Sequence, residues 1–487
     1  MSRSVSISCY PSVRLIAIIV LIAFCTAANF WPAVKTTASD DIENARDYGS
    51  ESDRFHHSTD NIQISNSQCP SFCECEHHGT AEISVYCHEG GLEHIGFSKL
   101  LKQIPREVTV LDVEAPLDNP NHLLWDDNLN QFRHLRVLRL VNCAIPAISH
   151  SLKLHTLEVL DLRGNRIQHL PVSVFSGVSS IRELNLARNS LSALPTGTFT
   201  YLKNLQTLSL AYNNITSVTV NLLRGLRNLK SLHLDGNRIP VSQFNLLFAN
   251  IPQLERLELN ECGLSIGAVS DLALEKFHSL KQLGFAGNRL GKVPISVLRN
   301  HLSSLTTLDL SDNELVEIEA GIFAKSNITR LLLAGNHLGT NPNSLSFNSL
   351  KTGLALRELD LSRNSFEHFK SEYLGIARET VEILHLNRNY ITNVGQWLIA
   401  NMTKLKMLHL GYNFIEHLPR KLPNEFAQLI FLNLSGNQLS LLPKHFRDIL
   451  RMLRMIDISK NRFTSFPITV VQNFFNSLEK VSFSSVN

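Results

Sequence analysis

One nine-residue frame, L-x-x-L-x-L-x-x-N/C, recurs fourteen times in this chain of 487 residues and limits its fold more than any other feature. It starts at Leu135 as LRVLRLVNC, returns as LEVLDLRGN, IRELNLARN and LQTLSLAYN, and ends as LRMIDISKN. The ninth positions are Cys143, Asn165, Asn189, Asn213, Asn237, Cys262, Asn288, Asn313, Asn336, Asn364, Asn389, Asn413, Asn437 and Asn461. They are separated by 22 to 28 residues, most often 24. A chain of this length would ordinarily divide into two or three domains, but a periodic one grows by stacking units on their neighbours.

The frame has a mechanical meaning. A short strand sends alternate side chains to opposite faces, so positions four and six point inward and positions three, five and seven outward. The chain then turns, and the ninth side chain must satisfy backbone groups buried between coils. Asn does this with a donor and an acceptor on one amide. Cys143 and Cys262 occupy the same slot, so they read as small buried members of the ladder and not as nucleophiles. Many units continue as x-L-x-x-L-P-x-x-x-F, as from His169 to Phe175 and from Ala193 to Phe199. Prolines and short turns use less length per coil than full helices, which predicts a gently curved stack. Frame and period resemble the typical extracellular subclass of leucine-rich repeats. The resemblance implies an α/β repeat fold: a curved leucine-rich-repeat solenoid with a parallel β-sheet on the concave face and irregular or 3-10 segments on the convex side. The longer, helical units of the cytosolic inhibitor-type subclass fit poorly.

Hydrophobic residues make up 44% of the chain and charged residues 18%, which suits a long core and not a disordered chain. With 46 Lys and Arg against 43 Asp and Glu, and no basic block, the net charge of +3 gives no nucleic-acid footprint. The cysteines are more informative. Cys69, Cys73, Cys75 and Cys87 form C-x3-C-x-C-x11-C ahead of the repeats, a knot with three possible pairings. A disulfide-stapled lid would shield the first coil's apolar end. His77 and His78 between the third and fourth cysteines raise zinc as the competing reading; a secretory route and the absence of paired C-x2-C spacing speak against it. The spacing resembles the N-terminal cap of extracellular leucine-rich-repeat proteins. In that family the first cysteine pairs with the third and the second with the fourth, which implies Cys69 to Cys75 and Cys73 to Cys87.

Residues 1–28 carry Arg3 and Arg14, an apolar run from Leu15 to Phe24 and small residues to Ala28, the pattern of a secretory signal. An uncleaved anchor is the alternative, although the run is shorter than the ~20 residues a bilayer span needs. Residues 29–68 read as a disordered acidic arm and 69–107 as the cap. Residues 108–134 read as an irregular first coil, with Pro116 where Asn is expected, and 135–477 as the fourteen repeats. Residues 478–487 begin a further repeat with no cysteine-rich cap after it, so a longer native chain is expected, membrane-bound only if it continues into a span.

Positions three, five and seven are the default binding surface. The fifth-position column is polar and reads as a solvated face. The third-position column runs Glu183, Thr207, Ser231, Arg256, Gln282, Thr307, Arg330 and Glu358, then turns apolar at Ile383, Met407, Phe431 and Met455. At about 4.8 Å between strands these four should form one exposed stripe, a candidate site for a partner or for self-association. Sequons fall at Asn214, Asn327, Asn401 and Asn433, the last two residues from Phe431. No catalytic, metal or cofactor constellation is evident, so no enzyme activity is expected. The resemblance over residues 69–487 to chaoptin, connectin and Toll-like repeat proteins implies a cell-surface recognition or adhesion ectodomain. A secreted matrix-organising protein and a soluble innate-recognition protein are the alternatives. In each case the partner is a protein or matrix component on the concave face, homophilic contact included.

Overall fold

The computed structural model describes residues 69–78 and 82–484 except 320, 324–325, 342–344, 346–354, 421, 444–445, 466 and 468–477, together with a short strand at Val5–Ser8. The expected signal and acidic arm lie outside the described residues apart from that strand. The unit Ser8–Ser67, distinct from the rest by its contacts, is likewise outside them apart from Ser8.

Every repeat contributes one short strand, and neighbouring strands pair in parallel with like positions opposite each other. Thus Thr207, Leu208 and Ser209 face Ser231, Leu232 and His233, which in turn face Arg256, Leu257 and Glu258. Strand-to-strand identity of register follows from the frame, because a one-residue slip would expose every inward leucine. Leu208, Leu232 and Leu257 are fully buried, at roughly 2 kcal/mol each.

The ninth-position asparagines tie successive coils together. Asn189 accepts from the Ile167 amide at 3.0 Å and donates to the carbonyls of Leu162 and Leu186 at 2.9 and 3.1 Å, and Asn237 and Asn413 repeat the pattern. Cys143 and Cys262 are buried free thiols in that slot. The thiol of Cys143 donates to the Val141 carbonyl at 3.2 Å and that of Cys262 to Leu234 at 3.4 Å. Burial pushes the Cys143 thiol up to about 12 and raises that of Cys262 as well, which keeps both protonated and inert.

The knot is disulfide-bonded as Cys69–Cys75 and Cys73–Cys87. Its hairpin, Glu74–His78 and Glu82–Cys87, lays Val85 and Cys87 in register with Leu111 and Val113 of the next coil. The cap therefore extends the sheet as well as closing it.

Two features differ from the sequence reading. The segment 108–134 is a regular coil interrupted by an insertion. Its strand Val110–Glu114 pairs on both sides, and Asn121 supplies the ladder side chain, accepting from Leu92 at 2.8 Å and donating to the Cys143 sulfur at 3.4 Å. Eight residues separate Val113 from Asn121, where three separate Leu162 from Asn165. Pro116 is part of the insertion and not a failed ladder residue. The outer side also holds short α-helices at Val241–Phe248, Ile266–Ser270 and Ile295–Leu298 among its turns and 3-10 segments. These fall where the ladder spacing lengthens to 25 or 26 residues, and two of them start directly after Pro240 and Pro294, a residue suited to a helix entry. Elsewhere a phenylalanine spine fills the outer core, with Phe175 and Phe199 stacked at 6.0 Å.

Candidate functional site

Because like positions are in register, outward side chains form columns along the sheet. The four-residue run is continuous: Ile383 faces Met407, Met407 faces Phe431 and Phe431 faces Met455, with Glu358 before and Lys480 after. The stripe is half-buried and not fully exposed as expected. Neighbouring columns wall it in, with the His409 ring 4.9 Å from that of Phe431 and the His385 ring stacked on His409 at 4.3 Å. His385 reaches Glu358 at 3.6 Å, and Arg330 closes on the other Glu358 oxygen at 2.9 Å. Burial, then the neighbouring His385, pushes His409 down to about 4, so this imidazole is neutral and adds to the apolar character of the strip. At the opposite end the same column is apolar at Val110, Val137 and Val159. That run escaped the sequence reading, which opened the column at Glu183.

The fifth-position column is not the solvated row expected. Asp161, Glu258 and Asp309 are buried. Glu258 lies flat because its neighbour in the next strand is Gly284, where a Cβ would sit 1.8 Å from its Oε2. Arg256 Nε donates to Glu258 Oε1 at 2.9 Å, Asn260 Nδ2 donates to Oε2 at 3.1 Å, and the Asn260 amide donates to Asp235 at 3.0 Å. Burial first, then the Glu258 charge, pushes Asp235 up to about 7, and burial raises Glu258 too. In the same coil Ser231 Oγ meets His233 Nε2 at 2.9 Å. Burial and then Arg256 push His233 down to about 3, which makes it a poor base and the reverse of what activates a hydroxyl. Among the described residues no group of three or more His, Cys, Asp or Glu is placed to hold a metal.

Where the strands run into the ninth-position turn, the eighth residue is left-handed in all fourteen repeats, from Asn142 to Lys460. Five of these are glycines, and three of them let side chains two coils apart meet, the first being Gly236, across which Tyr212 Oη donates to Glu261 at 3.1 Å. Arg363 clamps Asp312 at 2.9 and 3.1 Å across Gly335, where a Cβ would lie 1.8 Å from Asp312 Oδ1. Lys460 donates to Tyr412 Oη at 2.8 Å across Gly436. At the other edge an open groove of about 1030 Å³ is lined by Glu82, Arg136, Glu158, Arg182, Asn204 and Asn228 among others. Arg136 bonds Glu158 at 3.1 Å, and Asn204 and Asn228 donate to backbone carbonyls of the preceding coil.

The sequons are dispersed. Asn214, Asn327 and Asn401 are exposed in separate coils, whereas Asn433 is half-buried in the sheet with its Oδ1 accepting from Ser435 at 2.8 and 2.7 Å.

These observations define a leucine-rich-repeat protein with a disulfide-bonded N-terminal cap. The family model described as leucine rich repeat matches residues 133–191, 179–239, 278–338 and 379–439. An adenylate cyclase of Schizosaccharomyces pombe is 28% identical over 302 residues, covering 61% of this chain and 16% of that protein. The chain thus spans about a sixth of that relative's length. Among solved structures, the glycosylated Toll–Spatzle complex from Drosophila aligns over 85% of this chain and 55% of its own, at 15% identity and a TM-score of 0.50. A leucine-rich-repeat protein of Leptospira interrogans aligns over 81% and 88% at 23% identity and a TM-score of 0.47. At these identities the structural likeness is one of fold.

Proposed function

We propose that the chain is an extracellular protein-binding solenoid, a recognition or adhesion ectodomain that docks a partner on the sheet face of its C-terminal repeats. The observation that carries this reading is the in-register run of Ile383, Met407, Phe431 and Met455 in a column that is charged or polar from Glu183 to Glu358. Four adjacent apolar side chains on consecutive strands offer a strip that water solvates poorly and a partner can cover. The His385–His409 ring stack beside it widens that strip. An extracellular setting is supported by two disulfides, which persist in oxidising compartments, by the N-terminal signal pattern and by the sequons.

Phe431→Asp should leave secretion and thermal melting near wild type while reducing capture of the tagged secreted chain on cells or matrix by about tenfold or more, as for loss of one hot spot. Thr207→Asp, in the polar part of the same column, is the control and should bind normally. Equal binding by all three chains would remove the stripe as the site.

A further inference from the structure

The C-terminal repeats carry a second, chemically different surface on the turn edge of the sheet. Tyr390, Tyr412 and Phe414 are 51%, 40% and 45% exposed, and all three occupy the eighth and tenth positions of two successive repeats. Tyr390 and Phe414 lie ring against ring at 5.9 Å. The Arg388 guanidinium sits 5.0 Å from the centre of the Tyr412 ring, and the Lys460 ammonium is 5.4 Å from the same centre. Packing explains inward aromatics such as Phe369 and Phe426, but not three outward rings side by side. From Arg388 to Arg462 the charged residues at these two positions are Arg388, Lys460 and Arg462, with no carboxylate among them, and no sequon falls on either position.

We infer that this edge is a docking surface for an acidic protein segment that carries aromatic or aliphatic side chains, the rings taking its apolar groups and the three cations its carboxylates. The inference rests on the reading of the chain as a protein-binding solenoid and assigns a second contact line on the same repeats. Tyr, Phe and Arg are the residues that protein interfaces concentrate. A sulfated glycan would be served by densely packed cations, whereas this edge sets three cations around three rings. The Arg388 guanidinium lies against the Tyr412 face and the Lys460 ammonium donates to that ring's hydroxyl at 2.8 Å, which holds both charges at the surface in fixed positions.

The test uses the whole secreted chain, immobilised through a tag, and a displayed library of random twelve-residue peptides. The captured pool should be enriched in peptides combining Asp or Glu with aromatic or aliphatic residues. Their capture should fall about tenfold on the Tyr390→Ser, Phe414→Ser double variant and on Lys460→Glu, a loss of about 1.4 kcal/mol for either chain. Lys460→Glu is the second arm because it leaves the ring pair intact, and both variants should melt as the parent does. Capture that survives both variants, an enriched pool that is basic or lacks carboxylates, or no enriched peptide at all overturns the inference. Retention on heparin that the same variants abolish, without acidic peptides in the pool, overturns it in favour of a sulfated glycan. If Phe431→Asp abolishes capture and the edge variants do not, the edge fails while the sheet-face reading stands.

Discussion

Replacing Asn413 with Ala is expected to destabilise the C-terminal repeats by roughly 3–5 kcal/mol, far more than any exposed substitution nearby. The amide of Asn413 accepts from Ile391 at 3.0 Å and donates to the carbonyls of Leu386 and Leu410, both at 3.0 Å. Alanine leaves the buried Ile391 amide without a partner, at about 1–3 kcal/mol, and removes one of two donors from each carbonyl, at about 0.5–1.5 kcal/mol per bond, since Leu386 still accepts from Asn389 and Leu410 from Asn437, both at 2.9 Å. In a solenoid that loss falls on the junction between neighbouring coils, so the stack should part there instead of weakening uniformly. Urea unfolding of Asn413→Ala should show an early transition, and hydrogen exchange should place it between residues 383 and 437. Thr392→Ala, on the exposed side of the same coil, should stay within about 0.5 kcal/mol of wild type. A single unshifted transition for Asn413→Ala would contradict the role given to the ladder.

The second large effect is on pH dependence, where two groups in one coil pull in opposite directions. Asp235 has its folded value at about 7 against an ordinary 3.8, so as pH falls through 7 the folded state takes up a proton and the unfolded chain does not. Between those values stability rises as pH falls, by at most about 1.4 kcal/mol per pH unit. His233 has its folded value at about 3 against 6.5, so below pH 6.5 the unfolded chain takes the proton and stability falls at the same limiting slope. Glu258, raised by burial, adds to the Asp235 side. The coil 229–262 should therefore gain exchange protection from pH 8 to 6.5 and change much less below. Asp235→Asn should lose protection below pH 6.5, and His233→Gln should keep gaining towards pH 4. Identical profiles for the two variants would show that neither group is buried as described.

What the sequence disclosed about this fold is what the frame itself dictates. Inward leucines, the Asn and Cys ladder and the register of the 383–455 stripe all follow from equal spacing, because a coil that repeats must lay like on like. What it concealed depends on relations between coils. Glu258 is buried because residue 284, in the next coil, is glycine. Asp312 and Arg363 meet although 51 residues apart, because Gly335 between them has no side chain. Asn121 kept its 22-residue distance to Cys143 and its Leu two positions on, the half-frame that could have revealed it behind the insertion. The exposed rings at Tyr390, Tyr412 and Phe414 sit just beyond the three strand positions on which attention rested.

The central claim, that the C-terminal sheet face is covered by a protein in the extracellular setting, is tested most directly by site-specific photo-crosslinking. A photoreactive phenylalanine analogue placed at Phe431, and separately at Thr207, reports what touches the apolar and the polar part of one column. The account predicts a discrete covalent protein adduct from position 431 and none from position 207. Adducts of equal yield from both, or from position 207 alone, would contradict it.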